Sequence, residues 1–257
     1  MKAAGAIVFV LLACAVAGCG GKTADQWFKE RFSPPTTATR IAQLESLKAD
    51  ERREALQVLA ADKSATAIPS VVTIFCTLAR TDKDPAVRDA AVHGLAGMQG
   101  DAVLETLTAV ATGDRSPYVR REAIVSLGRR VPPEGAAAMI KALKEDSSVD
   151  VRLAAAENLS RFREKVAAGA LVAVIEDNDV GVATRAWASL RYMTGQNLPR
   201  QRQAWADFLV SADDPFVLYG KPPPPPRGAN QRPTFTKGPG QFIKNLFEKD
   251  VHEAEMK

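Results

Sequence analysis

The chain has 257 residues, of which 46% are hydrophobic and 25% charged, a composition that supports a sizeable globular core. The formal net charge of +4 comes from 34 basic and 30 acidic residues that are interleaved along the chain. Because the basic residues form no block, the charge indicates a solvated surface and disfavours nucleic-acid binding. Aromatic residues make up only 6%, which favours closely packed helices over a sandwich of sheets.

Residues 1–18 have the pattern of an export signal. Lys2 supplies a positive charge, and residues 6–17 form an apolar run that is too short to span a bilayer. The run ends in Val16-Ala17-Gly18-Cys19. This ending resembles the lipobox of bacterial lipoproteins, an aliphatic residue and two small residues before a cysteine. The alternatives are a plain secretory signal followed by a chance cysteine, or a buried apolar helix.

The lipoprotein resemblance implies a lipid anchor and a location. It implies cleavage before Cys19, a diacylglycerol thioether on the Cys19 sulfur and acylation of the new amino terminus, which together suffice for stable anchoring. In that family an aspartate after the cysteine retains the protein in the inner membrane, whereas this chain has Gly20. We therefore expect an exported protein in the cell envelope, at the periplasmic face of the outer membrane rather than the inner membrane.

Residues 19–38 are predicted to hold an anchor linker and one short helix. Trp27, Phe28 and Phe32 give this helix an aromatic side. Repeat arrays need a cap at each end, so we expect the aromatic side to cover the open end of the repeats. Contact with the membrane surface is the alternative.

Residues 39–212 are organised by a phrase that recurs along the chain. The copies end in leucines at positions 95, 127, 159 and 190, so the period is 32, 32 and 31 residues. A fifth copy lies upstream and ends at Leu59, 36 residues before the next. A period in this range predicts a solenoid, in which each unit buries its apolar face against its neighbours.

Each unit is predicted to hold two helices. The first helices are expected at 41–48, 68–80, 102–111, 135–144 and 166–175, and the second helices begin near Asp50, Asp84, Ser116, Ser148 and Asp179. Two columns of the second helices hardly vary: Ala55, Ala91, Ala123, Ala155 and Ala186, and four residues later Leu59, Leu95, Leu127, Leu159 and Leu190. Residues four apart share a helix face, so both columns are predicted to be buried.

These features resemble HEAT repeats, antiparallel helix pairs that stack into a right-handed superhelix, over about residues 39–196. The resemblance implies an all-α, armadillo-type solenoid of about five helical hairpins. It also implies a ladder between units, formed by a basic residue early in each second helix and an aspartate in the turn. The matching basic residues are Arg52, Arg88, Arg120 and Arg152, and the candidate partners are Asp50, Asp84 and Asp150. Ala183 replaces the arginine in the fifth unit, which puts the ladder in doubt there.

The composition changes after the repeats. Residues 202–210 are predicted to form a helix that caps the open end of the array. Residues 213–240 read as a Pro-rich linker without fixed structure, and Pro222–Pro226 favour a polyproline II spacer of about 3.1 Å per residue. The alternative is a ligand for a proline-binding domain.

Residues 241–257, here called the tail segment, read as a short amphipathic helix on this tether. Phe242 and Leu246, and Ile243 and Phe247, are i,i+4 pairs that make an apolar stripe. The stripe favours contact with a protein partner over anionic lipid, because both signs of charge flank it. Docking in cis onto the repeats is the other interpretation.

The sequence predicts no catalytic site, no metal site and no cofactor. His93 has no second histidine or cysteine pair at metal-ligand spacing and is expected on the surface. The function predicted is a non-catalytic, monomeric scaffold for protein–protein interaction whose partner the sequence does not identify. One alternative is an accessory or bilin-lyase-like enzyme. The other is binding of an anionic polymer through Arg53, Arg88, Arg120, Arg121 and Arg152.

Overall fold

The computed structural model describes residues 23, 35–130 and 133–222. This part of the chain is helical and contains no β-strand. Its twelve helices are α1 (Thr37–Gln43), α2 (Ala49–Ala61), α3 (Lys63–Thr66), α4 (Pro69–Thr81), α5 (Pro85–Leu95), α6 (Asp101–Gly113), α7 (Pro117–Arg130), α8 (Pro133–Glu145), α9 (Val149–Leu159), α10 (Lys165–Ala173), α11 (Val180–Thr194) and α12 (Arg202–Ser211).

The helices form five consecutive hairpins that stack in two layers. The hairpins are α1/α2, α4/α5, α6/α7, α8/α9 and α10/α11. The first helices α4, α6, α8 and α10 pack on one another in sequence, and the second helices α2, α5, α7, α9 and α11 form the facing layer. Each hairpin thus contacts mainly its neighbours, and the predicted alpha solenoid is confirmed.

The core lies between the two layers and is built from the predicted columns. Every residue of the alanine column and of the leucine column is at most 1% exposed. The alanines leave room for close approach of the helices, and the leucines fill the layer above. Gly94 has the same role at one point of contact, because a Cβ there would overlap the Phe75 ring of α4.

The first hairpin differs from the prediction in two places. Its first helix was expected at 41–48 but spans Thr37–Gln43, because the Thr36 hydroxyl accepts a hydrogen bond from the Thr39 N–H at 3.2 Å and starts the helix early. Leu47 is consequently in a turn and fully exposed. The extra helix α3, capped by the Asp62 side chain, accounts for the longer spacing between the first two leucines.

The C-terminal end of the array is covered by helix α12 and by residues 215–220. Helix α12 packs on α10 and continues the layer of first helices, with Trp205 fully buried. Residues 215–220, which the sequence assigned to the linker, fold back on α11: Phe216 is buried, and the Gly220 N–H donates to the Tyr192 carbonyl at 3.0 Å. Gly195, at φ +65°, permits this return because a Cβ there would overlap Leu218.

Several predictions concern parts of the chain outside the described residues. They are the lipobox with Cys19, the aromatic helix with Trp27, Phe28 and Phe32, and the tail segment with its stripe Phe242, Ile243, Leu246 and Phe247. Among the helices described, none is both long and apolar enough to cross a membrane.

Candidate functional site

Arginines of the second helices bind aspartates of the following hairpin in two-pronged ion pairs. The Arg52 guanidinium donates to both carboxylate oxygens of Asp82 at 2.8 Å. Arg88 binds Asp114 at 2.7 and 2.8 Å, and Arg120 binds Asp146 at 2.7 Å through both nitrogens. Paired, charge-assisted hydrogen bonds of this kind fix geometry as well as charge.

Backbone hydrogen bonds join these pairs into one chain, here called the arginine–aspartate ladder. The Nη1 atom of Arg88 donates to the Asp82 carbonyl at 2.9 Å, and that of Arg120 donates to the Asp114 carbonyl at 2.8 Å. Each aspartate also accepts from a backbone N–H two residues on, for example Asp114 from Ser116 at 2.7 Å. One carboxylate therefore holds a turn and the preceding hairpin together.

The aspartates of the ladder are not those that the sequence nominated. Asp84 caps α5, because its carboxylate accepts from the Ala86 N–H at 2.8 Å. Asp50 pairs within its own helix with Arg53 at 3.0 Å, and Asp150 is exposed in the first turn of α9. The ladder uses Asp82, Asp114 and Asp146 instead. Together with Asp177, which takes no part in the ladder, they form a column that repeats with the spacing of the leucines. This spacing could have identified the ladder aspartates from the sequence.

The ladder ends before the fifth hairpin. The Arg152 guanidinium donates to the Asp146 carbonyl at 3.0 Å, and no ion pair joins it to Asp177 in the described structure. Ala183 takes the arginine position of α11 and is buried. Arg185, two residues on, instead pairs with Glu157 at 3.4 Å across an exposed surface.

The ladder removes Arg88 and Arg120 from the arginines proposed to bind an anionic polymer. Side chains of Arg88 and Asp114 are only 3% and 6% exposed, and Arg120 is 12% exposed. Their charges are already neutralised by buried carboxylates, so a polymer cannot reach them. Of the arginines proposed for that role, Arg53 and Arg121 are exposed.

The contribution of the ladder to the stability of the fold depends on pH. Burial alone would raise the pKa of Asp82. Hydrogen bonds from Arg52 and from the Asp84 N–H outweigh burial, so the pKa of Asp82 lies below its usual value. The pKa of Asp146 is lowered in the same way, by hydrogen bonds from Arg120 and from the Ser148 N–H. A carboxylate with a lowered pKa in the folded state stabilises the fold above its unfolded pKa of about 3.9, and this contribution is lost as pH falls through the folded pKa.

We therefore expect the free energy of unfolding, measured with urea, to be level from pH 7 to about pH 5 and to fall steeply below about pH 4. Asp82→Asn removes one titrating group, so it should lower stability at pH 7 and flatten the acid dependence. The interpretation is wrong if the variant and the unchanged protein lose stability in parallel as pH falls.

The exposed side of the second helices, here called the second-helix face, is the main candidate for binding. It is formed by Arg53, Gln57, Asp89, His93, Arg121, Glu122, Leu153, Glu157, Thr184, Arg185 and Ala188. Two contacts cross between neighbouring hairpins on this face: His93 Nδ1 lies 2.8 Å from Glu122 Oε1, and Arg185 pairs with Glu157. Positive and negative charges alternate along this face, which favours a protein as binding partner over a polyanion.

A groove of about 770 Å³ lies on this face between α2, α5 and α7. Its floor is short side chains, and its rim carries charges: it is lined by Arg53, Gln57, Ala60, Ala61, Ala86, Asp89, Ala90, His93, Gly94, Ala96, Gly97 and Arg129. Burial, with a smaller contribution from Glu122, raises the pKa of Asp89. The groove can accept an apolar element that places charges along its edges.

The described residues show no arrangement that would carry chemistry at a metal. No group of three or more His, Cys, Asp or Glu side chains within residues 35–130 and 133–222 is placed to hold a metal ion. The Cys76 thiol is half-buried and lies 3.7 Å from the Ala102 carbonyl oxygen.

Comparison with known proteins identifies a family and finds similar solved structures. A family model described as HEAT repeats matches residues 37–128 and 104–191, together more than half of the chain. No curated protein matches the chain. A similar solved structure is the crystal structure of an engineered protein from the Northeast Structural Genomics Consortium. It is 21% identical over 62% of this chain and 80% of that chain, with a TM-score of 0.46.

Proposed function

Because the chain belongs to the HEAT-repeat family, we propose that it acts without catalysis, as a lipid-anchored scaffold that binds a protein partner in the bacterial envelope. HEAT-repeat solenoids typically present an extended surface assembled from successive hairpins. The observation that carries the proposal is the second-helix face, which spans five hairpins. The buried ladder holds the first four of these hairpins in register.

The ladder and the second-helix face have separate roles, and this separation supports a binding function for the face. The ladder arginines turn inward and are satisfied by aspartates, so they stabilise the array. The exposed arginines and acids of the second-helix face are held by few contacts and remain accessible, as Arg121 and Glu157 illustrate. Interspersed charges of both signs give orientation and partner choice in protein recognition.

The anchor is proposed from the sequence near Cys19. Lipid on Cys19 would hold the array at the membrane surface, and residues 20–36 would connect the anchor to the first hairpin. We place this anchor at the periplasmic side of the outer membrane. The Pro-rich tether and the tail segment supply a second binding element, whose apolar stripe is open to a partner or to the solenoid itself.

The test is crosslinking in intact cells, followed by purification through a tag at the C-terminus. We expect one discrete protein partner in the membrane fraction. Cys19→Ser should move the tagged chain out of the membrane fraction, whereas Cys76→Ser should leave it there. Retention of Cys19→Ser in the membrane fraction would contradict the anchor, and absence of any discrete crosslinked protein would contradict the scaffold.

A further inference from the structure

Small residues of the second hairpin line the groove on the second-helix face. Along α5 and the following turn, they form a row that consists of Ala86, Ala90, Gly94 and Gly97. The equivalent row of the third hairpin, 32 residues on, consists of Tyr118, Glu122, Ser126 and Arg129. The groove thus follows α5 for roughly 16 Å, at 1.5 Å per residue. One short helix fits this length.

The chain itself supplies a segment of matching length and pattern. In the tail segment Ile243, Phe247 and Val251 are spaced by four residues, and Phe242 and Leu246 widen the same stripe. A helix over residues 242–252 would also be roughly 16 Å long. Large apolar side chains on this stripe complement a floor of alanine and glycine, as when an amphipathic helix lies in a groove.

The exit of the chain lies on the same edge of the solenoid as the groove. The described chain ends at residue 222, shortly after Gly220 binds the Tyr192 carbonyl near the end of α11. The groove likewise includes residues at the ends of α2, α5 and α7. Only α7 and α9 separate α5 from α11, a distance of roughly 25–30 Å at 8–10 Å per helix. Residues 222–241 reach about 59 Å when extended at 3.1 Å per residue.

Charges at the two surfaces are complementary. Arg53 and Arg129 lie on opposite sides of the groove, one on α2 and one on α7. Glu248 and Asp250 flank the stripe of the tail segment, and Lys244 offers a partner for Asp89 on the groove rim. Opposite charges at the rim of an apolar contact fix its register.

We propose that residues 242–252 dock in cis, as an amphipathic helix, in the groove between α2, α5 and α7. The contact closes the chain back on its second hairpin and covers this part of the second-helix face. An external helix that uses the groove must first displace the tail segment. This inference stands apart from the proposed function, because docking in cis requires neither a partner nor a lipid.

The test is amide hydrogen exchange of the full chain, followed by mass spectrometry of peptides from residues 241–252. Gly97→Arg fills the groove with the residue that the third hairpin carries at the same place, and the position tolerates a Cβ, whose nearest neighbour would be the Gly94 carbonyl at 3.8 Å. Gly113→Arg is the matched control, since Gly113 is exposed at the end of α6 with open space around it. Phe247→Asp removes the apolar stripe from the tail.

We expect exchange in residues 241–252 to be slowed about 10-fold or more in the unchanged chain and in Gly113→Arg, independently of protein concentration. Gly97→Arg and Phe247→Asp should both release this protection, while peptides from α5 and α7 keep theirs. Three results would overturn the proposal. They are a tail that exchanges freely in the unchanged chain, protection that survives Gly97→Arg, and protection that disappears on dilution, which would assign the groove to a second copy.

Discussion

Replacing Arg88 by alanine is expected to lower the free energy of unfolding by about 3–5 kcal/mol. Arg88 is the most buried arginine of the ladder, and its loss leaves the carboxylate of Asp114, only 6% exposed, without its counter-charge. It also removes the hydrogen bond from α5 to the Asp82 carbonyl, so two successive turns lose support. Urea unfolding followed by circular dichroism measures the effect.

Arg152→Ala is the matched control for this experiment. Arg152 occupies the equivalent position of α9 but donates only to the Asp146 carbonyl, so its removal should cost about 1 kcal/mol. In a double-mutant cycle, Arg88→Ala and Asp114→Ala should be strongly non-additive, because the second change no longer strands a buried charge. Equal losses for Arg88→Ala and Arg152→Ala would contradict the role assigned to the ladder.

Replacing Leu127 by alanine should cost about 2–5 kcal/mol. Leu127 is fully buried at the centre of the leucine column, where α7 contacts α5, α6 and α9. The substitution removes apolar surface and leaves a cavity that the surrounding helices cannot fully close. Because α7 has a neighbour on each side, we expect hydrogen-exchange protection to fall in both adjacent hairpins.

The same substitution at Leu47 provides the comparison. Leu47 lies in the turn before α2 and is fully exposed, so Leu47→Ala should change the free energy of unfolding by no more than about 0.5 kcal/mol. A similar cost at both positions would mean that the leucine column does not form the core of the array.

Periodicity made the core predictable from the sequence. Alanine and leucine recur four residues apart in each unit, and helix geometry alone places them on one buried face. The end of the ladder was also visible, since Ala183 stands where the other units have arginine. Local contacts account for the differences that periodicity did not predict. The Thr36 cap starts the first helix earlier than expected, and Leu218 packs beside Gly195, so residues 215–220 fold onto α11 and are not part of the linker.

The ladder partners and the groove required the structure for different reasons. Each turn holds more than one acid, and Asp84 resembles Asp82 in sequence although one caps a helix and the other binds arginine. Burial separates these roles, and burial cannot be read from the residue type. The groove is lined by small residues such as Ala90 and Gly97. The sequence does not indicate that the space beside these residues is left open by their neighbours.

Site-specific photocrosslinking in cells tests the binding role of the second-helix face most directly. Ala188 and Ala173 are exposed alanines of the same hairpin, one on α11 in the layer of second helices and one on α10 in the opposite layer. A photoreactive residue at Ala188 should yield a discrete crosslinked protein, and the same residue at Ala173 should not. Equal crosslinking from both positions, or crosslinking from Ala173 alone, would contradict the account.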